Sequence, residues 1–456
     1  MPIAQAGEAV RQFDVVRVLL VSTYDLGRQP FGLASPAAWL REAGVQVTCA
    51  DLSRETLSAD AVREANLIAV FLPMHTATRL AIPVIDRARA LNPSAILCAY
   101  GLYAPLNARL LREHGVDHIL GGEFEAALRD LALSRRLSSD GAIQRLQFRT
   151  PDRSSLPPLS RYATLQVGSE QRIAGYTEAS RGCKHRCRHC PIVPVYEGRF
   201  RVVPVATVLA DVRAQVQAGA RHITFGDPDF FNGIGHARAI IEAFGREFPA
   251  VTYDVTIKVE HLLQHADVLP RLRETGCAFV TTAVESIDDD VLARLQKGHT
   301  RADFERVVGL FRASDLTLSP TFVAFTPWST LDSYCELLEA IARLELVENV
   351  APIQLAIRLL VTEGSRLLEL SDVRGLCREF DPGSLTYPWN HPDARVDWLQ
   401  QQIASAVGVR SAAPRHELFD AIWRMAHETA GAPRPSAIPE VRPRTSIPYM
   451  NEPWYC

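Results

Sequence analysis

Apolar residues in this chain gather into short runs separated by stretches of helical period, and that alternation predicts the architecture. Val15 to Val21 is a buried-strand run that ends in Ser22-Thr23-Tyr24-Asp25, and Pro36 to Ala43 follows with helical spacing. The unit recurs. Val45 to Cys49, Leu67 to Leu72 and Ala95 to Tyr100 read as strands, with helices over Thr76 to Leu91 and Ala104 to His114. Strands and helices in this order predict a doubly wound, Rossmann-type parallel sheet over residues 15 to about 135. Ligands of such sheets lie beyond the carboxyl ends of the strands. The candidate segments are therefore Ser22-Thr23-Tyr24, Leu72-Pro73-Met74-His75, Tyr100-Gly101-Leu102-Tyr103 and Gly121-Gly122-Glu123-Phe124-Glu125.

Residues 148 to 172 lose clear periodicity and hold Pro151, Pro157 and Pro158, which predicts an interdomain linker. Beyond it, strand-like runs recur at Tyr176 to Ser180, His222 to Gly226, Tyr253 to Val259, Phe279 to Glu285, Leu318 to Phe325 and Ile353 to Leu360, with helical stretches between them. Six such repeats predict a partial (β/α)6 barrel of TIM type, with chemistry at the carboxyl ends of its strands. Helical patterns over Val396 to Val407 and His416 to Thr429 predict a C-terminal cap over the barrel mouth, and a proline-rich tail follows. The chain is thus an α/β protein with a Rossmann-like domain at 1–147, a linker at 148–172, a barrel at 173–365, a helical cap at 366–430 and an extended tail at 431–456.

Composition narrows the function. A net charge of −3 without a basic block gives no electrostatic footprint for nucleic acid or an anionic membrane, so a small-molecule or a protein substrate is expected, the small molecule being the leading reading. No apolar run reaches the length of a membrane span and no signal pattern opens the chain, which predicts a cytoplasmic protein. Cys49, Cys98, Cys277, Cys335 and Cys377 are scattered through apolar surroundings, as buried thiols in a reducing compartment are.

Cys183, Cys187 and Cys190 are different. In the run Ser180-Arg181-Gly182-Cys183-Lys184-His185-Arg186-Cys187-Arg188-His189-Cys190 they have the spacing CxxxCxxC, and three thiolates leave a four-iron cluster one ligand short. A three-cysteine zinc site completed by His185 or His189 is the alternative, although structural zinc favours paired CxxC modules and there is no second one. At these residues the chain resembles the radical S-adenosylmethionine (radical SAM) superfamily. The resemblance implies a 4Fe–4S cluster on the three cysteines and SAM chelated to the fourth iron. It also implies reductive carbon–sulfur cleavage to give a radical, and an external electron donor such as flavodoxin or ferredoxin.

The same resemblance assigns candidate SAM contacts. Asp227 and Asp229, in Phe225-Gly226-Asp227-Pro228-Asp229, stand where the superfamily approaches the SAM amino group, and an Asp-Pro turn is the plain reading of the same residues. Glu285-Ser286 resembles the pattern near the ribose or methionine part of SAM. Glu285 is costly to bury unpaired, and Lys258 and Arg358, inside apolar strand runs, are candidates for the SAM carboxylate; the alternative is that these three charges pair with one another or point outward. Thr326-Pro327-Trp328 is expected on the adenine or substrate side, and the basic run from Lys297 to Arg301 is read as a solvated loop without a catalytic role.

The first third resembles the cobalamin-binding domain that precedes the barrel in one large subgroup. That subgroup's Asp-x-His-x-x-Gly, which supplies an axial histidine to cobalt, is absent, and His75 follows a different strand. The tail ends Asn451-Glu452-Pro453-Trp454-Tyr455-Cys456, and the whole chain resembles a radical SAM family named for a Cys-Sec-Ala-Glu-Pro (CUAEP) or Cys-Cys-Ala-Glu-Pro (CCAEP) tail. That implies truncation of a selenoprotein at Cys456, with Cys456 as a redox or substrate-holding thiol. The expected function is radical modification of a small substrate. A cobalamin-dependent methyltransferase and a non-catalytic cluster-bearing redox or metalloid sensor are the alternatives.

Overall fold

The structure is a computed structural model that describes residues 16–134, 147–409, 413–431 and 447–451. In the N-terminal domain, β1 (Arg17–Ser22), β2 (Gln46–Asp51), β3 (Leu67–Phe71), β4 (Ile96–Tyr100) and β5 (His118–Leu120) form a parallel sheet in the order 2-1-3-4-5. Its strands are apolar on both faces because helices cover both. Val18, Leu20, Ala69 and Cys98 pack into one core, and Leu19, Val21, Ile68, Val70 and Leu97 into the other. The order reverses between β1 and β3, so the loops after these strands frame the crevice of a doubly wound sheet.

Within the segment expected to be a linker, β6 (Thr164–Val167) turns at Gly168, with φ +57°, into the antiparallel β7 (Glu170–Thr177). The next two strands, β8 (Ser180–Gly182) and β9 (Phe200–Val202), form a short ribbon that brackets the three-cysteine loop. Then β10 (His222–Phe225), β11 (Thr252–Thr256), β12 (Cys277–Glu285) and β13 (Leu318–Phe322) line up parallel with β7 as a curled half-barrel, with helices outside it. The sixth expected strand does not form. Pro352 opens a 3-10 turn over Pro352–Leu355, and a single bridge between Phe325 and Arg358 is the remnant. A short β14 (Tyr449–Met450) pairs antiparallel with β6 at the sheet edge, so part of the expected tail belongs to the barrel sheet.

The helices Ala394–Val409 and Arg415–Ala430 do not cover the barrel mouth. Leu399, Ile403, Leu418, Phe419 and Ile422 join the barrel's outer core, beside the helix Leu331–Arg343, because their apolar stripes match that surface. Two ionic knots lock the halves together. Arg153, just after Pro151, donates to Asp211 at 2.8 and 2.9 Å, to Gln29 at 2.9 Å and to the Tyr176 carbonyl at 2.7 Å. Arg181 of β8 is the second and is described with the site. Among the described residues no helix is long and apolar enough to cross a membrane.

Candidate active site

The carboxyl ends of both sheets face one cavity of about 570 Å³. The N-terminal domain contributes a largely apolar wall that includes Leu26, Phe31, Phe71, Met74 and Phe124; the barrel contributes strand ends from β7, β10, β11, β12 and β13. Gly226, just after β10, lies against Tyr176, and a Cβ there would come within 1.8 Å of the phenol oxygen. Asp25 lines the N-terminal side, where burial pushes its carboxyl up to about 7 and Arg28 only partly opposes this.

The three cysteines sit on the loop between β8 and β9, beside this cavity. Gly182 starts that loop at φ +73°, and a Cβ there would lie 2.5 Å from the Arg199 carbonyl, so the turn requires glycine. Cys183 and Cys187 are buried and Cys190 partly so. Burial pushes the Cys183 and Cys190 thiols up, Cys190 to about 12, and the other cysteines of the loop push the same way. Thiols crowded in this manner ionise only against a bound cation, which is the donor chemistry an iron–sulfur cluster needs. Cys183, His185 and Asp229 offer atoms within 4.8 Å of one another.

The loop is tied to the cavity wall through Glu285. This residue ends β12 at φ +69°, a conformation costly for a non-glycine residue, and its carboxylate is buried at the cavity edge. Lys297 Nζ lies 3.2 Å from Oε1, and His189 Nε2, between Cys187 and Cys190 in sequence, lies 3.1 Å from the same oxygen. Burial opposes ionisation of Glu285, but Lys297 and then His189 more than reverse this and hold it well below the usual carboxylate range. Lys297 is 3 % exposed, so the loop read as solvated contributes the buried counterion of Glu285. Beside it, burial and the ammonium groups of Lys297 and Lys258 push His299 down to about 4.

The two aspartates separate. Asp227 lines the cavity and accepts from Ser180 Oγ at 2.5 Å and from the Ala179 amide at 2.9 Å, while burial pushes its carboxyl up to about 7. Asp229 faces away from the cavity, 3.2 Å from His185 Nε2 and 2.6 Å from His261 Nδ1. Burial opposes its charge, and the two histidines hold it well below the usual range nonetheless.

Arg181, two residues before Cys183, is the knot between domains. It lies 2.7 Å from Glu125 and 3.4 Å from Glu123 of the N-terminal domain and 2.6 Å from Glu178, among the rings of Phe31, Phe124 and Phe148. The Gly-Gly-Glu-x-Glu turn therefore spends both glutamates on docking the barrel.

Several expected contacts fall elsewhere. Lys258 precedes a helix, Val259–Gln264, rather than lying within a strand, and its ammonium pairs with Glu260 at 3.5 Å, off the cavity. Arg358 turns outward to Asp397 at 2.6 Å and stacks on Trp389, because with no sixth strand its side chain meets the helix Ala394–Val409. Ser286 caps the turn at Asp288 and faces a smaller neighbouring cavity. Trp328 donates to Asp372 at 2.8 Å, and His75 Nε2 lies 2.6 Å from the Ser384 carbonyl, so neither faces the main cavity. Cys456 lies outside the described residues.

A half-barrel whose first strand end carries three cysteines beside a cavity defines a radical SAM enzyme. Residues 177–338 match the family model "Radical SAM superfamily", so this segment is a radical SAM domain. The chain is thus an enzyme whose cofactors are a 4Fe–4S cluster and SAM. Among curated relatives it is 27% identical over 191 residues to a tRNA-2-methylthio-N(6)-dimethylallyladenosine synthase of Chlorobium limicola, covering 40% of this chain and 43% of the relative. It is 28% identical over 188 residues to the ribosomal protein uS12 methylthiotransferase RimO of Desulfosudis oleivorans, covering 36% and 40%. The matches thus span less than half of either relative's length.

Two solved structures share the two-domain fold. The cobalamin-dependent SAM radical enzyme OxsB, with aqua-cobalamin bound, superposes with a TM-score of 0.71 at 16% identity, covering 91% of this chain and 72% of that one. The radical SAM methyltransferase TsrM from Kitasatospora setae gives 0.59 at 19% identity, covering 72% and 71%. This is the fold of the cobalamin-dependent subgroup.

Proposed function

We propose that Cys183, Cys187 and Cys190 hold the cluster and that the enzyme cleaves SAM reductively to modify a small substrate admitted between the N-terminal domain and the barrel. The observation that carries this reading is the link from the cysteine loop through His189 and Glu285 to the cavity wall, which joins a metal-binding loop to a space of ligand size. When bound, the cluster supplies the electron for carbon–sulfur cleavage. The chain's own part is orientation and charge. Glu285, kept ionised by Lys297, presents a carboxylate to the cationic cofactor at the cavity edge, and Asp227, fixed by Ser180, places a carboxyl group on the same cavity. Lys258, Ser286 and Arg358 do not line that cavity.

A small substrate fits the largely apolar N-terminal wall and the net charge of −3 better than a nucleic acid does. The one-electron donor is a separate protein of the flavodoxin or ferredoxin type. Replacing any of the three cysteines by Ala should abolish 5′-deoxyadenosine formation, and retained cleavage in such a variant sinks the reading.

A second reading adds cobalamin. It is favoured by the apolar wall at the strand ends of a 2-1-3-4-5 sheet, a surface suited to a broad flat ligand. Among the described lining residues there is no imidazole, and the thioethers of Met74 and Met450 are the soft donors present, so a bound corrinoid would lack a histidine ligand. Incubation with hydroxocobalamin and desalting tests this: retained corrinoid absorbance without histidine ligation supports it, and none retained removes it.

A further inference from the structure

The interior of the half-barrel is unusually polar. Closed eight-stranded barrels fill their interior with branched apolar side chains, whereas this open half-barrel leaves its interior facing the cavity. Here the register stacks polar ones in levels: Thr224 beside Asp254, then Thr256 beside Thr281, then Thr321 beside Ala283, with Glu285 above. Thr224, Asp254, Thr256, Thr281 and Thr321 all line the cavity.

Asp254 is 6 % exposed and built in place. Its Oδ1 accepts from Thr224 Oγ1 at 2.6 Å and faces Nε2 of the fully buried His222 at 2.9 Å, whose Nδ1 lies 2.9 Å from Thr252 Oγ1. Among the described residues Oδ2 has no hydrogen-bond partner, nor do the hydroxyls of Thr256, Thr281 and Thr321. Gln354, 5 % exposed, gives its Oε1 to the Phe322 amide at 3.1 Å and has its NH2 group without a partner on the same wall. Five polar groups thus open onto one lumen without a protein partner, with Asp254 held from behind, and a lining of this kind suits a ligand rich in hydroxyl groups.

We infer that the barrel lumen binds the polar end of the substrate, a small polyol or amino alcohol whose hydroxyl or ammonium group donates to Asp254. The inference rests on the proposed use of this cavity for substrate. His222 and Thr224 act as positioning residues that fix Asp254 with one oxygen turned to the ligand. The apolar wall opposite takes the less polar side of the molecule, so the site discriminates by hydroxyl pattern at one end and by shape at the other.

Saturation-transfer NMR on the cluster-reconstituted, SAM-saturated protein without reductant tests this, with erythritol, D-ribose and 2-amino-1,3-propanediol as probes and 1-butanol as the deoxygenated control. At least one hydroxylated probe should bind the wild type more tightly than the control. Its affinity should fall at least about tenfold in the near-isosteric Thr281→Val/Thr321→Val variant, with the aminated probe most affected by Asp254→Asn. Absence of binding by every hydroxylated probe overturns the inference, as does binding unchanged in the variants. A loss of SAM affinity with probe binding intact also overturns it, since the hydroxyls would then serve the SAM ribose. Deoxyadenosine formation by the wild type with dithionite is measured alongside: its presence without probe binding fells this inference alone, and its absence fells the proposed function instead.

Discussion

Lys297→Met removes the counterion of a carboxylate that has nowhere to go. Side chains of Glu285 and Lys297 are 10% and 3% exposed and 3.2 Å apart, and truncating one partner of such a pair costs about 3–5 kcal/mol because the other is left as a buried charge. His189, 3.1 Å from the same oxygen, remains, which puts the expected loss near about 3 kcal/mol. Glu285→Gln in the Lys297→Met background removes the stranded charge. The double variant should therefore be more stable than Lys297→Met alone, with a coupling of about 2 kcal/mol. Urea unfolding of the apo protein, followed by tryptophan fluorescence, reads these differences. The pH dependence also has a sign. In the wild type Glu285 has a depressed folded value, so its contribution is present above the unfolded value of about 4.3 and is lost as pH falls through the folded one. In Lys297→Met burial dominates and the carboxyl is raised, so stability should fall as pH rises above about 4. Additive single effects, or an unchanged pH slope in Lys297→Met, would refute the pairing.

Arg181→Met leaves the buried Glu125 and the part-buried Glu178 without their partner, so limited proteolysis should separate the two domains at least about tenfold faster than in the wild type, and an unchanged rate would contradict the knot. Gly226→Ala forces Tyr176 to move and should cost about 1–3 kcal/mol in urea unfolding, whereas a neutral effect would mean that the ring has room to yield. Asp227 has a raised folded value of about 7, so its folded form keeps a proton that the unfolded chain has released; stability is fullest below about 4 and declines as pH rises through 7. Asp227→Asn should flatten that decline, and an unaltered slope would assign it to other groups.

Much of the fold was legible because buried parallel strands are continuous apolar runs, as Leu67 to Leu72 shows. Ile353 to Leu360 has the same composition and is not a strand, since Pro352 starts a 3-10 turn and Arg358 finds its partner on a later helix. The hairpin of β6 and β7 was hidden in a proline-bearing segment whose strands are only half buried and so lack a clear period. The cysteine loop could be read from spacing alone. Lys297 could not, because a basic run beside a glycine looks solvated until tertiary packing closes over it. Asp254 and the lumen threonines did leave a signal: polar residues at alternate positions of strands otherwise buried on both sides, which marks an interior facing a ligand rather than a core. Of the loops after the N-terminal strands, Met74, Gly101 and Gly122 line the cavity while Glu123 and Glu125 face Arg181, a division that depends on the docking of the barrel and so is absent from the local sequence.

The central claim is that the three-cysteine loop holds a cluster that cleaves SAM. Anaerobic reconstitution with iron and sulfide, followed by SAM and dithionite, measures it through the 5′-deoxyadenosine formed by the wild type and by the Cys183→Ala, Cys187→Ala and Cys190→Ala variants. The account predicts deoxyadenosine from the wild type and none from any variant. Deoxyadenosine from a variant, or none from a wild-type protein carrying a full cluster, would contradict it.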